Sequence, residues 1–260
     1  MGKDRRLRKI LKEDGRTFIV PMDHGLTQGP IKGLDQINET VRMILNGGVD
    51  AILVHKGIAR LIDNGSAGLI IHLSGSTNLS GDPLNKVQVA DVIDAIRLGA
   101  DAVSIHINVG CPTESDQLKI LGSVSSECED YSLPLIAMMY PRGPKIDSEY
   151  AEKYVSHAVR IGVELGADII KTNYTGSLDT FRHVVSTCPV PVVMAGGPKK
   201  KSVEGFLSVV KDAMLAGASG VAVGRNVFQA SNPKRMAAAI SAIIHKGMDV
   251  PAALKVLGEG

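Results

Sequence analysis

Lys171 closes an apolar run, Leu165-Gly166-Ala167-Asp168-Ile169-Ile170-Lys171, and Thr172-Asn173-Tyr174-Thr175-Gly176 follow it. The β-branched residues read as a buried strand, and the polar residues and glycine read as the loop it opens into. A lysine so placed keeps its stem in a dry interior and its amine near a mouth. Burial disfavours the ammonium and makes the free amine available. A free amine on a rigid strand end is what Schiff-base chemistry on a carbonyl requires. A lysine at a strand end also commonly does no more than snorkel to solvent, so this run alone leaves both readings open.

Other strand-like runs end in groups that would complete such chemistry. Phe18 to Asp23 ends in a carboxylate that stays ionised beside an ammonium, either as an acid–base group or as half of a buried ion pair. Leu135 to Tyr140 ends in a phenol able to offer a proton, or simply to fill space. Gly196-Gly197 and Gly224-Arg225 follow two further runs. Glycine lets backbone N–H groups approach an anion, and an arginine adds a charge-assisted hydrogen bond, so these loops read as a phosphate site; tight turns are the plainer alternative. Lys199-Lys200-Lys201 would raise the local potential or form a solvated face. His24, His55, His72 and His106 fall on or beside four neighbouring runs. They raise the idea of a divalent metal, but none forms an HxH or HExxH pair, and histidines bonded to their neighbours are the commoner arrangement.

An internal repeat indicates what positions these residues. Gly48-Val49-Asp50, Gly99-Ala100-Asp101, Gly166-Ala167-Asp168 and Gly217-Ala218-Ser219 each precede an apolar run, at spacings of 51, 67 and 51 residues. The glycine supplies a left-handed helix cap and the short turn feeds a buried strand. A βα unit takes about 25 to 30 residues, so each interval holds two units and the repeat marks every second strand. Strands are predicted over Phe18–Asp23, Ala51–His55, Leu69–Leu73, Ala102–Ile107, Leu135–Tyr140, the Lys171 run, Pro191–Ala195 and Gly220–Gly224, with helices such as Val87–Leu98, Tyr150–Leu165 and Val203–Ala216 between them. Eight near-continuous apolar strands alternating with helices in one chain of 260 residues predict a closed α/β barrel, (β/α)8, as a single domain over residues 1–260. A helix over about Asp4 to Glu13 is expected to cap its bottom. In such a barrel the chemistry lies at the C-terminal strand ends, where all the candidates above fall.

Composition narrows the function classes. Charges nearly balance, with 29 Lys+Arg against 27 Asp+Glu, so no single-sign field points to nucleic acid or an acidic membrane surface. The basic cluster Lys3, Arg5, Arg6, Arg8, Lys9, Lys12 reads as a solvated helix face. Tryptophan is absent and aromatics are 3%, against base-stacking platforms. Cys111, Cys128 and Cys188 are odd in number and form no CxxC pair, so neither a disulfide framework nor a zinc knot is expected and a reducing cytoplasm fits. No apolar run reaches the ~20 residues of a membrane span, and Met1 to Lys12 has no signal-peptide core.

Pro21-Met22-Asp23-His24-Gly25, Met138-Met139-Tyr140-Pro141-Arg142-Gly143, Lys171-Thr172-Asn173-Tyr174-Thr175-Gly176, Ala195-Gly196-Gly197-Pro198 and Gly220-Val221-Ala222-Val223-Gly224-Arg225-Asn226 together resemble the archaeal-type class I aldolases over nearly the whole chain. The resemblance implies a (β/α)8 barrel that forms a Schiff base without a metal or other cofactor. It implies Lys171 as the Schiff-base former, Tyr140 as proton donor and Asp23 as proton acceptor. It places the substrate against Asp23, His24, Gly25, Leu26, Thr27, Tyr140, Pro141, Arg142, Lys171, Gly196, Gly197, Gly224 and Arg225. Val20 to Gly33 and Leu69 to Ser76 look most like the members that join 6-deoxy-5-ketofructose 1-phosphate to L-aspartate semialdehyde on the way to 3-dehydroquinate and the aromatic amino acids. Such proteins assemble as homo-oligomers, decamers in this family. Class I cleavage of fructose 1,6-bisphosphate is the nearest alternative, and a non-catalytic sugar-phosphate-binding barrel a remoter one. Lys56, Arg60 and Arg142 are available for a second anionic group in either reaction.

Overall fold

Eight parallel strands close on themselves in this computed structural model, which describes residues 2–198 and 202–258. They are β1 (Thr17–Pro21), β2 (Ala51–Val54), β3 (Gly68–His72), β4 (Ala102–Val109), β5 (Leu135–Pro141), β6 (Ile169–Asn173), β7 (Val192–Ala195) and β8 (Gly220–Ala222). Each pairs with the next in sequence, and β8 returns to β1 through Thr17 opposite Gly220. Helices run between strands and cover the barrel, so each strand is buried on both faces, as its unbroken apolar sequence requires.

The two-residue period of a strand sorts its side chains between two cores. On β5, Ile136, Met138 and Tyr140 turn into the barrel, where they meet Ile169, Ile70 and Val193. Ala137 and Met139 turn outward to the helices. Lys171 lies two residues after Ile169 and therefore also points inward. Below it the interior is closed by the helix Gly2–Ile10, whose Ile10 is fully buried and whose Leu7 packs beside Leu11 against the same inner cluster.

The glycine repeat has a structural reason beyond the turn. Gly48, Gly99, Gly166 and Gly217 all sit at positive φ, between 75° and 97°. The aspartate two residues later reaches the preceding strand. Asp50 Oδ2 accepts the Phe18 N–H at 2.7 Å, Asp101 Oδ2 the Leu69 N–H at 2.9 Å and Asp168 Oδ2 the Leu135 N–H at 2.8 Å. Ser219 replaces the aspartate in the fourth copy, and its backbone carbonyl accepts the Thr17 N–H at 2.8 Å.

Four expectations need correction. β1 ends at Pro21, and Asp23 instead precedes the short helix His24–Gln28. The helix expected from Val87 begins at Val92, where the Asp91 carboxylate accepts the Asp94 N–H; Val87–Gln88 instead pairs antiparallel with Ser74–Gly75. The N-terminal helix stops at Ile10 rather than Glu13. Its basic face is not wholly solvated, because Lys3 bonds Glu129 and lies 3.2 Å from Asp168. Lys199-Lys200-Lys201 lies outside the described residues. No helix among those described is long and apolar enough to cross a membrane.

Candidate active site

A cavity of about 230 Å³ opens at the C-terminal ends of the strands. Lys171 lies midway along β6, which runs on through Thr172 and Asn173 rather than opening into a loop at the lysine as its sequence suggests, and it is only 8% exposed. Its Nζ lies 3.7 Å from the Met138 Sδ of β5, so an apolar thioether shields the amine on one side. Asp23 and Tyr140 line the same space.

Asp23 sits among cations and histidines. His24 Nδ1 is 3.6 Å and His72 Nε2 3.8 Å from its carboxylate oxygens. Burial alone would raise the Asp23 pKa; the positive charge available on His72, His24, Lys171 and His55 outweighs it and holds the carboxyl well below the usual range. Asp23 is therefore ionised at neutral pH. His72 is its opposite: burial pushes its pKa down to about 3 despite the nearby Asp23 charge. The neutral ring is fixed by a 2.8 Å hydrogen bond between Nδ1 and Ser104 Oγ on β4.

Tyr140 is the last residue but one of β5, and its ring is held on two sides. The His106 ring meets it edge-on at 4.9 Å, and the Arg142 guanidinium carbon lies 4.6 Å from its centroid. Arg142 is steadied by Glu149, whose Oε2 accepts from Nε at 2.6 Å, and Asn173 Nδ2 donates to the same carboxylate at 3.2 Å.

The loops after β7 and β8 form the facing wall. A Cβ on Gly196 would lie 2.5 Å from Val223, and one on Gly224 would lie 2.5 Å from the Pro21 carbonyl, so both positions demand glycine for space. Arg225 Nη2 donates to the Gly197 carbonyl at 3.2 Å, while its buried Nε has no hydrogen-bond partner among the described residues. Asn226 Nδ2 ties the loops together by donating to the Gly196 and Pro198 carbonyls at 3.2 and 3.3 Å.

Most of the residues singled out from sequence thus converge. Asp23, His24, Thr27, Tyr140, Arg142, Lys171, Gly196, Gly197, Gly224 and Arg225 all line the cavity. Gly25, Leu26 and Pro141 do not. On the helix His24–Gln28 the i, i+3, i+4 face carries His24, Thr27 and Gln28 inward, leaving Gly25 and Leu26 on a neighbouring apolar groove. Pro141 follows the inward Tyr140 on a strand and so turns outward. Lys56 lines the neighbouring apolar groove and Arg60 a different surface hollow, so of the three residues proposed for a second anion only Arg142 lines the cavity. His24, His55, His72 and His106 do line the cavity, yet no group of three or more His, Cys, Asp or Glu among the described residues is arranged to hold a metal. The three cysteines are free. Ser76, at the end of the third predicted strand, also lines the cavity, and so do Lys86 and Asn173, which sequence reasoning passed over. Asn173 lies two residues after Lys171 on an inward face, a signal that was present; Lys86 was hidden by the helix expected from Val87.

The comparisons agree with this geometry. Residues 17–230 match the model of the DeoC/LacD family aldolases. A 2-amino-3,7-dideoxy-D-threo-hept-6-ulosonate synthase from Archaeoglobus fulgidus is 47% identical over 99% of this chain and 96% of its own. A 2-amino-4,5-dihydroxy-6-oxo-7-(phosphonooxy)heptanoate synthase from Streptomyces griseus is 43% identical over 92% of this chain and 89% of its own. An archaeal fructose-1,6-bisphosphate aldolase, solved with its catalytic lysine covalently bound to the carbinolamine intermediate of the substrate, superposes with a TM-score of 0.87 at 34% identity, covering 93% of this chain and 99% of that one. With a barrel of this order, a buried strand lysine lining its mouth and these relatives, the chain belongs to the DeoC/LacD family of aldolases.

Proposed function

We propose that the chain is a lysine Schiff-base aldolase of the transferase kind, which uses 6-deoxy-5-ketofructose 1-phosphate and L-aspartate semialdehyde to make 2-amino-3,7-dideoxy-D-threo-hept-6-ulosonate, towards 3-dehydroquinate and the aromatic amino acids. The observation that carries this is the meeting of Lys171, Asp23 and Tyr140 in one cavity at the barrel mouth. The choice of substrates is supported by the name of the Archaeoglobus fulgidus relative.

The Lys171 amine adds to the ketose carbonyl at carbon 5, and the carbinolamine loses water to give an iminium. The iminium draws in the electron pair of the bond between carbons 3 and 4, while the carbon 3 hydroxyl gives its proton to Asp23. Carbon 3 becomes the aldehyde of a three-carbon phosphate, which leaves, and an enamine remains on Lys171. The enamine carbon attacks the aldehyde of L-aspartate semialdehyde, and the new alkoxide takes back the proton held by Asp23. Water then hydrolyses the iminium and frees both the product ketone and the lysine. Tyr140 is the proton donor at the hydroxyl that leaves the carbinolamine. Asp23 suits its role because it is ionised, and His72 because it stays neutral and so does not quench that charge. Written this way, the reaction draws on no cofactor. His24, Thr27, Arg142, Gly196, Gly197, Gly224 and Arg225 contact the substrate.

The same reading takes residues 1–260 as one catalytic domain acting as a homo-oligomer, decameric by resemblance, in the cytoplasm. Class I cleavage of fructose 1,6-bisphosphate is the second reading. The Arg225 Nε beside the glycine loops, without a hydrogen-bond partner among the described residues, favours it, since a bisphosphate carries a phosphate on the carbon next to the imine carbon. A substrate competition separates the two. The protein is given the ketose phosphate with and without L-aspartate semialdehyde, and fructose 1,6-bisphosphate separately. The first reading expects the seven-carbon product only when both substrates are present. Turnover of the bisphosphate alone would replace it with the second.

A further inference from the structure

Lys86 has no part in the chemistry above, yet it is aimed into the cavity. The order of the closed ring puts β3 and β4 across the barrel from β7 and β8, over which the glycine loops lie. Over β3 runs the segment that returns through the ladder of Ser74–Gly75 with Val87–Gln88, and this hairpin delivers Lys86 to the wall facing those loops. The Lys86 ammonium donates to Ser76 Oγ. Among the described residues no carboxylate forms an ion pair with it. Arg142, the second cation on this side, already shares Glu149 with Asn173. Burial and then the charge of Arg142 hold the Lys86 pKa below its usual value, with Asp23 acting in the other direction. This wall is short of negative charge, and an arriving anion would supply it.

We propose that Lys86, with Arg142 and Ser76, holds the anionic end of the aldehyde partner. The assignment rests on the aldol reading above, whose bond changes give it a reason. The bond broken and the bond made involve the same carbon of the enamine on Lys171, so the leaving aldehyde and the arriving one occupy one place in turn. Two carbons separate the aldehyde carbon from a phosphate ester in the leaving fragment, and from a carboxylate in L-aspartate semialdehyde. One cationic subsite at that distance serves both. Lysine suits this exchange, because a flexible point charge accepts either anion without the fixed fork that an arginine imposes. Holding the far end also aligns the aldehyde carbon with the enamine.

The test compares L-aspartate semialdehyde with propanal, an aldehyde without the carboxylate, as acceptors for the full-length protein and its K86M, K86R and S76A variants. In K86M the preference for the charged acceptor, as a ratio of kcat/KM values, is expected to fall at least about tenfold, the scale of one charge-assisted hydrogen bond. K86R is expected to recover part of that ratio. S76A leaves the charge in place and is expected to lower the ratio less, giving a reading even if K86M folds poorly. An unchanged ratio in K86M, or in both K86R and S76A where K86M does not fold, would overturn the assignment. Borohydride trapping of the wild-type protein with the ketose phosphate reports separately on the underlying reading. No adduct on Lys171 would overturn the aldol chemistry and this assignment with it, whereas an adduct beside an unchanged ratio would overturn the assignment alone.

Discussion

At the closed end of the barrel Asp50, Asp101 and Asp168 each accept a backbone N–H from the neighbouring strand at 2.7 to 2.9 Å. At the open end the Asp23 carboxylate lies 3.6 Å from His24 and 3.8 Å from His72, beyond hydrogen-bond length. The histidines differ in the same way. His245, at the closed end, has a ring nitrogen 2.9 Å from Asp50 and the other 2.8 Å from Asp14, and these hydrogen bonds raise its pKa against the effect of burial. His72, at the open end, has only its Nδ1 so engaged, by Ser104 at 2.8 Å; its Nε2 stands 3.8 Å from Asp23, and burial pushes its pKa down to about 3. Polar groups whose bonding capacity is taken up by the backbone or by each other hold the barrel together. Groups buried without such partners remain available to a substrate.

Substitutions should therefore have opposite signatures at the two ends. The largest effect belongs to Lys171→Met, which removes the nucleophile and is expected to cut turnover at least about 10⁴-fold while leaving the circular dichroism spectrum and thermal midpoint near wild type. Tyr140→Phe keeps the ring between His106 and Arg142 but removes the proton, and should lower kcat by about 10²- to 10⁴-fold with little change in KM, measured by steady-state kinetics. Asp168→Ala works the other way. It strands the Leu135 N–H and should cost about 1–3 kcal/mol in urea unfolding while kcat/KM stays within about twofold of wild type.

The smallest effect is a pH dependence. The folded-state pKa of His245 is raised, so its contribution to stability is fully present below the ordinary histidine value of about 6.5 and is lost as pH rises through the raised value. His245→Gln should consequently lower the thermal midpoint more at about pH 6 than at about pH 9. Equal losses at both would separate the histidine's charge from its role.

The fold was legible because its signal is periodic. A glycine cap before every second strand fixed the count, and with the count fixed Lys171, Asp23 and Tyr140 fell on one mouth. Non-local contacts were not legible. The aspartates of the repeat bond strands 32 and 33 residues earlier, which no local pattern announces. Lys86 was lost because its neighbours Val87 and Gln88 join a short antiparallel ladder whose pairing partner lies outside the segment read as a helix. Gly25, Leu26 and Pro141 adjoin residues of the site in sequence but face away from it, since adjacency along a helix turn or a strand does not mean a shared face.

The decisive chemical step is formation of an imine between the Lys171 amine and a ketose phosphate. Sodium borohydride added during turnover with 6-deoxy-5-ketofructose 1-phosphate, followed by peptide mass mapping, measures this directly. The predicted result is a single reduced adduct on the peptide containing Lys171, absent from Lys171→Met. An adduct on another lysine, or none in a preparation that turns over substrate, would contradict it.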